Sequence, residues 1–432
     1  MNFKTISPSH RIQRFNVLTL FISLSLSFLL FLILHSPIYS ISITFLKSLE
    51  EKRTRQSFLF SFFSTYYTYI STEYLPYAIV ILIYNYGNIY KTFILFSQIL
   101  LGKYITGFLR LIFIDTPLYY DKSIPFSIIN EHTFSFPSEK LVIYPTFLLS
   151  LWKILTRKLQ KNQNELYLKY FFLGVISLFI GMLFLSELIL GVSSIDQSLF
   201  SLGISLQIYY LIFYVVKVNY NDNKQFFRII KSNFKKILCL IIILLCLPVF
   251  VYFLRRNSQT IQKLTESITS QNKSENEICF EKEALSTSFV FSSVLFMFIG
   301  FKLEINLLFH EQFSNWSQFN FEPNDEFNHS YSTGSYSSSL SERISITKGA
   351  QWNHTKIFQS FFRLIIICLL VAVCFSPYFF VKWGDNFFLV IFVKDILCWG
   401  IVSFGWTFWF KLIIQFLSLS NTTLWSVLRE SI

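Results

Sequence analysis

The sequence predicts an all-α protein, a polytopic bundle of transmembrane helices. The chain has 432 residues, of which 53% are hydrophobic and only 14% are charged, whereas roughly a quarter of the residues of a soluble protein are charged. Apolar runs close to the ~20 residues that a helix needs to cross a bilayer recur along the chain. The low charge and the recurring runs together favour a membrane protein.

The apolar runs give the predicted spans. These are residues 15–36, 73–89, 91–113, 141–155, 167–186, 197–217, 237–254, 286–309, 358–380 and 386–418. The last run is long enough either for one tilted span with an interfacial piece or for a tight pair of helices. The segment 47–72 mixes charges with phenylalanine, a composition typical of an amphipathic helix at the membrane interface.

The first span, 15–36, follows Lys4, Arg11 and Arg14 and therefore looks like a signal sequence. It is longer than the apolar part of a cleaved signal, and no small-residue cleavage site is evident. We expect an uncleaved signal anchor.

Basic loops predict the orientation, because cytoplasmic loops are enriched in Lys and Arg. The loops Arg157 to Lys161 and Lys217 to Lys236 are both basic. If both are cytosolic, the N-terminus and the polar loop 310–357 are cytosolic as well. This loop also carries Asn-x-Ser/Thr triplets at Asn315, Asn328 and Asn353. These triplets read as glycosylation sites only in a lumenal loop, so both locations stay open.

The net charge of +12 does not indicate a nucleic-acid partner, because the basic residues lie in short loops between apolar runs and form no basic module. The six cysteines show no paired metal-binding spacing, and neither do the histidines. The sequence therefore predicts no metal and no cofactor.

Three short segments carry polar residues near the ends of predicted spans. The first contains Lys103 and Arg110, two helical turns apart and so on one helix face. The second reads F-S-F-P-S-E-K at 134–140, and the third reads S-E-L-I-L-G-V-S-S-I-D-Q at 186–197. In the orientation given by the loops, all three segments lie at the lumenal face.

In this order the segments resemble the type-2 phosphatidic acid phosphatase superfamily, whose motifs are K-x6-R-P, P-S-x-H and S-R-x5-H-x3-D. The segments are most similar to those of the sphingosine-1-phosphate phosphatases. The resemblance implies a six-span phosphatase-like core at 57–256. On either side of this core, we expect an N-terminal segment with the anchor helix at 1–56 and a C-terminal extension with further spans at 257–432.

The resemblance also implies a phosphate site. Lys103 and Arg110 match the cations that bind the phosphoryl oxygens, although Leu111 stands where a Pro usually follows. Ser138 matches the second motif and is expected to cap the next helix, whose backbone amides then face an anion. Without the other motifs, Lys103 and Arg110 also fit a pair of snorkelling side chains at a helix end.

The residues that perform the chemistry in the superfamily are replaced here. Lys140 stands in place of the His that protonates the leaving alcohol, and Glu187 replaces the third phosphate-binding cation. Ser193 replaces the nucleophilic His, and Gln197 replaces the Asp that orients it, with Asp196 one residue early. A Ser with no adjacent base is a weak nucleophile, and a Glu repels a phosphate dianion.

Two expectations follow for neighbouring residues. His132, upstream of the second motif, is a candidate replacement for the lost acid. Glu187 is expected to pair with Lys103, Arg110 or Lys140, because charges buried in a membrane protein need partners.

The expected function is non-catalytic: a phosphatase-like membrane protein that binds a lipid or serves as a structural or regulatory subunit. One alternative is an active phosphatase of sphingosine 1-phosphate or a related lipid phosphate. Another is a membrane transporter, for which Lys302 and Glu304 near the end of a span are the suggestive charges. Expected partners are membrane lipids, including a phosphorylated sphingoid base or other lipid phosphate, and membrane proteins. The expected location is the endoplasmic reticulum or another endomembrane.

Overall fold

The chain is helical in a computed structural model that describes residues 8–53, 57–70, 74–86, 89–113, 136–156, 163–215, 223–255, 280–313, 357–380 and 387–417. No strand occurs within these ranges, which confirms the predicted all-α class. The α-helices are α1 (Pro8–Arg53), α2 (Ser57–Thr65), α3 (Tyr74–Tyr86), α4 (Ile89–Ile112), α5 (Glu139–Thr156), α6 (Gln163–Ile189), α7 (Ile195–Tyr210), α8 (Asn223–Arg255), α9 (Phe280–Phe289), α10 (Ser292–Phe313), α11 (Ile357–Phe380), α12 (Phe387–Val390), α13 (Trp399–Phe404) and α14 (Phe410–Phe416). Short π-helical segments are Tyr66–Ile70, Leu211–Val215, Ile391–Cys398 and Gly405–Trp409.

Six stretches of these helices are long and apolar enough to cross a membrane, which is compatible with an integral membrane protein. They are Lys91–Ile112, Leu166–Ile189, Asn233–Leu254, Glu283–Leu303, Phe361–Tyr378 and Phe388–Trp409. All six overlap predicted spans. The other predicted spans, 15–36, 73–89, 141–155 and 197–217, fall on α1, α3, α5 and α7, which lie outside this set.

The last predicted run, 386–418, forms one continuous helical stretch rather than a tight pair. Its α-helical pieces are joined without a break by the π-helical segments Ile391–Cys398 and Gly405–Trp409. A π-helical turn carries one extra residue within an otherwise α-helical run. The stretch of residues 387–416 therefore changes helical register at two places without leaving the helical conformation.

The chain divides into two compact units. The first comprises Met1–Ile79, Ile94–Tyr220 and Ile242–Phe291, and the second comprises Val80–Phe93, Asn221–Ile241 and Ser292–Ile432. All residues of the three motif segments belong to the first unit. The division into domains at residues 56 and 256 stays a prediction.

An aromatic core joins several elements of the first unit. Its buried members are Tyr66, Tyr67, Leu141, Tyr144, Leu183, Leu190 and Val192. Burial raises the pKa of Tyr66 to about 12, so its hydroxyl stays protonated at neutral pH. This hydroxyl donates to the backbone oxygen of Phe179, 2.9 Å away, and so attaches the turn after α2 to α6.

A glycine ends α6 and turns the chain into α7. Gly191 has φ 68°, a left-handed conformation that costs glycine nothing. Its N–H donates to Leu188 O and the N–H of Val192 donates to Glu187 O, at 3.2 and 2.9 Å. This is the Schellman pattern of a helix C-terminus. It holds Glu187 at the end of α6 and brings Ser193 back beside it.

The second unit contains buried charged residues that the sequence interpretation overlooked. Arg363, 2% exposed, donates from Nε to Asn85 Oδ1 and from a terminal nitrogen to Asn85 O, at 2.7 and 2.6 Å. Lys394, Asp395 and Lys411 are also buried. The charges that the sequence analysis names within a span are Lys302 and Glu304. Lys302 is half-buried, and the side chain of Glu304 lies outside the described residues.

Several sequence predictions concern parts of the chain that the structure does not describe. These include the loop of Arg157 to Lys161, His132, most of the polar loop 310–357 and its Asn-x-Ser/Thr triplets. The side chains of the basic residues near the N-terminus fall in the same category. The predicted orientation of the chain therefore stays a prediction.

Close packing of α4 on α9 gives a stability prediction. A Cβ on Gly107 would lie 2.6 Å from Ala284 O and 2.8 Å from the Ser288 backbone nitrogen, whereas a Cβ on Gly203 in α7 meets nothing within 4 Å. Gly107→Ala should therefore destabilise the protein by about 1–3 kcal/mol through overpacking. Gly203→Ala should be neutral or stabilising by up to about 1 kcal/mol, because alanine favours helix. Unfolding of both purified variants in detergent tests this; equal effects would contradict it.

Candidate functional site

The first motif segment places two cations on one face of α4. Lys103 and Arg110 are 9% and 6% exposed. Both contact one carboxylate: Lys103 Nζ lies 2.7 Å from Glu139 Oε1, and Arg110 lies 3.6 Å from Glu139 Oε2. The Lys103 contact is a buried ion pair. Arg110 also donates from Nε to Pro137 O at 3.3 Å, which fixes its guanidinium beside the second motif.

The second motif segment leads into α5 through Ser138. Ser138 Oγ accepts the backbone N–H of Leu141 at 3.3 Å, which confirms the predicted N-cap. The backbone N–H of Ser138 donates to Ser201 Oγ on α7 at 2.9 Å. The hydroxyl hydrogen of Ser138 is directed to Glu187 Oε1 at the end of α6. One serine therefore ties together the ends of three helices.

The third motif segment surrounds the Glu187 carboxylate, which is fully buried. Its Oε1 accepts from Ser138, and its Oε2 accepts from Ser193 Oγ at 2.8 Å. Because the single hydrogen of Ser193 is used on Glu187, Ser198 must be the donor in the 2.6 Å contact between the two hydroxyls. Ser193 thus has an adjacent acceptor, which corrects the expectation of a serine without one.

Lys140, in the second motif segment, contacts the aromatic core. Its Nζ donates to Tyr67 O at 3.1 Å and lies 3.3 Å from the centre of the Tyr67 ring. A cation on an aromatic face is stabilised by the ring quadrupole. Lys140 thereby attaches α5 to the π-helical turn after α2.

Gln197, the last residue of the third motif segment, caps α7. Its Oε1 accepts the backbone N–H of Ser194 at 2.9 Å, which satisfies an amide at the helix start. Its own backbone oxygen accepts from Ser201 Oγ at 2.8 Å. Gln197 is fully buried and acts on the backbone of its own segment.

Asp196 carries a contact that the sequence did not indicate. Its Oδ2 lies 2.5 Å from His35 Nδ1 on α1, and its Oδ1 accepts from Ser194 Oγ at 2.5 Å. The Asp196 side chain is 3% exposed and that of His35 is 35% exposed. A residue of the predicted anchor helix therefore reaches the third motif segment.

The structure thus brings Lys103, Arg110, Ser138, Glu187 and Ser193 into one connected group. Glu139 and His35 complete it, and neither was among the predicted site residues. Glu139 had a local signal, because a carboxylate in the first turn of a helix is stabilised by the helix dipole. His35 had none, since its partner is 161 residues away in sequence.

The charges of Lys103, Arg110, Glu139 and Glu187 within the group balance one another without a ligand. Lys103 and Arg110 supply two positive charges, and Glu139 and Glu187 supply two negative charges. In the part of the chain that the structure describes, no group of three His, Cys, Asp or Glu residues can hold a metal ion. Its chemistry is accordingly that of hydrogen-bonded carboxylates, hydroxyls and cations.

Comparison of the chain with protein-family models, with curated proteins and with solved structures gives no match. The resemblance to the phosphatase superfamily consequently depends on the three motif segments themselves.

The shared carboxylate leads to a prediction about stability. Glu139→Gln removes the charge that both Lys103 and Arg110 contact, and breaking a buried ion pair costs about 3–5 kcal/mol. Lys103→Met combined with Glu139→Gln should cost less than the sum of the single changes, with a coupling energy of about 0.5–3 kcal/mol. Chemical unfolding of the four proteins in detergent measures this coupling. Strictly additive losses would show that the contact contributes nothing.

Proposed function

We propose that this protein is a non-catalytic, phosphatase-like membrane protein that binds lipid or serves as a structural or regulatory subunit. The connection among Lys103, Arg110, Ser138, Glu187 and Ser193 supports a site of the type-2 phosphatidic acid phosphatase kind, because these residues match its motif positions. The same residues support the loss of its reaction. Its partners in this proposal are membrane lipids and other membrane proteins.

The observation that carries the proposal is the position of Glu187. This residue stands where the superfamily has a phosphate-binding Arg, and both of its oxygens accept serine hydroxyls. Two unit charges 4 Å apart interact by about 4 kcal/mol at an effective dielectric constant of about 20. An Arg at this position would attract each phosphate charge by about that energy, and a Glu repels it by about the same amount.

The general acid and the base-activated nucleophile that phosphate ester hydrolysis requires are also missing. Lys140 contacts Tyr67, and an ammonium group is a poor proton donor to a leaving alcohol at neutral pH. Glu187 is the acceptor for Ser193, but a carboxylate that already accepts a second hydroxyl is a weak base towards a serine. The group therefore lacks an effective acid and an activated nucleophile.

We further propose an endomembrane location, such as the endoplasmic reticulum, with the N-terminus in the cytosol and the motif residues at the lumenal face. The basic loops near Arg157 and Lys217 support this orientation, because basic loops stay cytosolic.

Activity measurements on the purified protein test the proposal. We expect no phosphate release from phosphatidate or a phosphorylated sphingoid base above that of Ser193→Ala. Loss of the acid removes about 10²–10⁴-fold, and loss of an activated nucleophile removes about 10⁶-fold. The combined variant Lys140→His, Glu187→Arg, Ser193→His and Gln197→Asp should gain turnover if the lipid-phosphate pocket is retained. Turnover by the unmodified chain that Ser193→Ala abolishes would refute the proposal.

The contact between His35 and Asp196 favours a second candidate, an active lipid phosphatase with a displaced histidine. Asp196 fixes Nδ1, and among the described residues none hydrogen-bonds Nε2. A histidine held in this way by a carboxylate can accept a proton or attack phosphorus.

One substitution separates the two candidates. His35→Asn keeps a nitrogen donor towards Asp196 but removes Nε2. If wild-type protein releases phosphate from a lipid phosphate, the second candidate predicts that His35→Asn lowers the rate at least about 10²-fold, the usual value of a general acid or base. In that case Ser193→Ala should leave most of the rate unchanged. A His35→Asn variant with full activity would eliminate this candidate.

A further inference from the structure

Helix α1 contacts both the second and the third motif segments, although it belongs to neither. We propose that α1 is a strap that closes the candidate site and that its release opens the site without unfolding the rest of the unit. This proposal goes beyond the proposed function, because it concerns access to the site and holds whether or not the site turns over phosphate.

The contact with the second motif segment is aromatic. The rings of Phe31 and Phe136 are stacked, with centroids 4.4 Å apart and planes at 4°. Phe136 is fully buried and directly precedes Pro137, whose oxygen accepts from Arg110. Phe31 also contacts Phe200 on α7 at 5.0 Å. Phe31 therefore covers the junction between the second motif segment and α7.

Polar contacts also join α1 to the third motif segment and to α7. His35 Nδ1 lies 2.5 Å from Asp196 Oδ2. Ser42 Oγ accepts the backbone N–H of Ile195, at the start of α7, at 3.2 Å. Further along α7, Gln207 Nε2 donates to Ser27 Oγ at 3.1 Å. Helix starts leave backbone amides without intrahelical partners, so the Ser42 contact satisfies one such group.

These contacts follow one face of α1. The residues Ser27, Phe31, His35 and Ser42 are spaced by four, four and seven positions, which keeps them on one side of a helix. The described apolar residues on the opposite side are exposed: Ile22, Leu26, Ile33 and Ile41 are 58%, 53%, 61% and 58% exposed. The contacts given above all lie on this one face of α1, and an element whose opposite side is largely exposed can open locally.

Release of α1 has a defined consequence for the site. It removes the ring that covers Phe136 and uncovers the buried Asp196 carboxylate together with Ser194, which donates to it. The contacts within α4 to α7 do not pass through α1, since Glu139, Glu187, Ser138 and Ser193 bind one another. The site therefore opens while its framework stays connected.

Thiol labelling tests the strap. In a full-length chain whose six native cysteines are replaced by alanine, Ser194→Cys introduces a reporter under α1, and Ser205→Cys introduces one in the α5–α7 contact with Thr146. Labelling by N-ethylmaleimide is followed in detergent. Phe31→Ala with His35→Ala should accelerate labelling at position 194 at least about tenfold, through loss of the aromatic stack and the hydrogen bond. Labelling at position 205 should stay unchanged.

Two controls separate local opening from general damage. Ile33→Ala with Ile41→Ala changes the exposed side of the same helix and should leave both rates unchanged. The single variant His35→Asn keeps Phe31 and retains a donor to Asp196. Its labelling at position 194 should therefore stay nearly as slow as in the chain without changes in α1. Equal acceleration at positions 194 and 205 would make α1 a part of the core, and unchanged labelling at 194 would show that α1 does not cover the site. Either result overturns the proposal.

Discussion

Two buried carboxylates connect the elements of the candidate site. Glu139 contacts both cations of α4, and Glu187 accepts hydroxyls from the start of α5 and the start of α7. A charge buried in a membrane protein is tolerated only with partners. This requirement fixes the relative positions of four helix ends, because moving any one of them separates a charge from its partner. The Schellman turn at Gly191 and the cap at Ser138 supply the backbone geometry that makes these contacts possible.

The residues of the motif segments have local roles in the fold. Gln197 caps α7, Lys140 binds the Tyr67 ring and backbone, and Ser193 joins Glu187 to Ser198. Catalytic groups are usually held in arrangements that cost stability, and their replacement commonly recovers it. Under the proposed non-catalytic function, the chain keeps the shape of such a site while its side chains serve packing and hydrogen bonding.

Local features were the ones that could be predicted from the sequence. The helical class, the long apolar spans and the Ser138 cap depend on composition or on residues close together in the chain, which a single sequence displays. The Glu139 ion pairs and the His35 contact depend on distant partners; the position of Glu139 in the first turn of α5 is a weak local signal, and His35 has none. The contact of the buried Arg363 with Asn85 is of the same kind, because 278 residues separate the two partners. The polar residues near the ends of the predicted spans, by contrast, are visible in the sequence, and five of them lie in one connected group.

Arg363 has a consequence for how the protein is made. Asn85 lies at the end of α3, where the backbone oxygens have no partners within the helix, and Arg363 binds both its side chain and its backbone oxygen. The two residues are 278 positions apart. At about 5–20 residues per second, the ribosome completes Asn85 roughly 14–56 s before Arg363. During that interval the end of α3 depends on water, lipid head groups or the insertion machinery for its hydrogen bonds. The second unit is therefore completed only late in translation, when its last helices join a segment synthesised near the beginning.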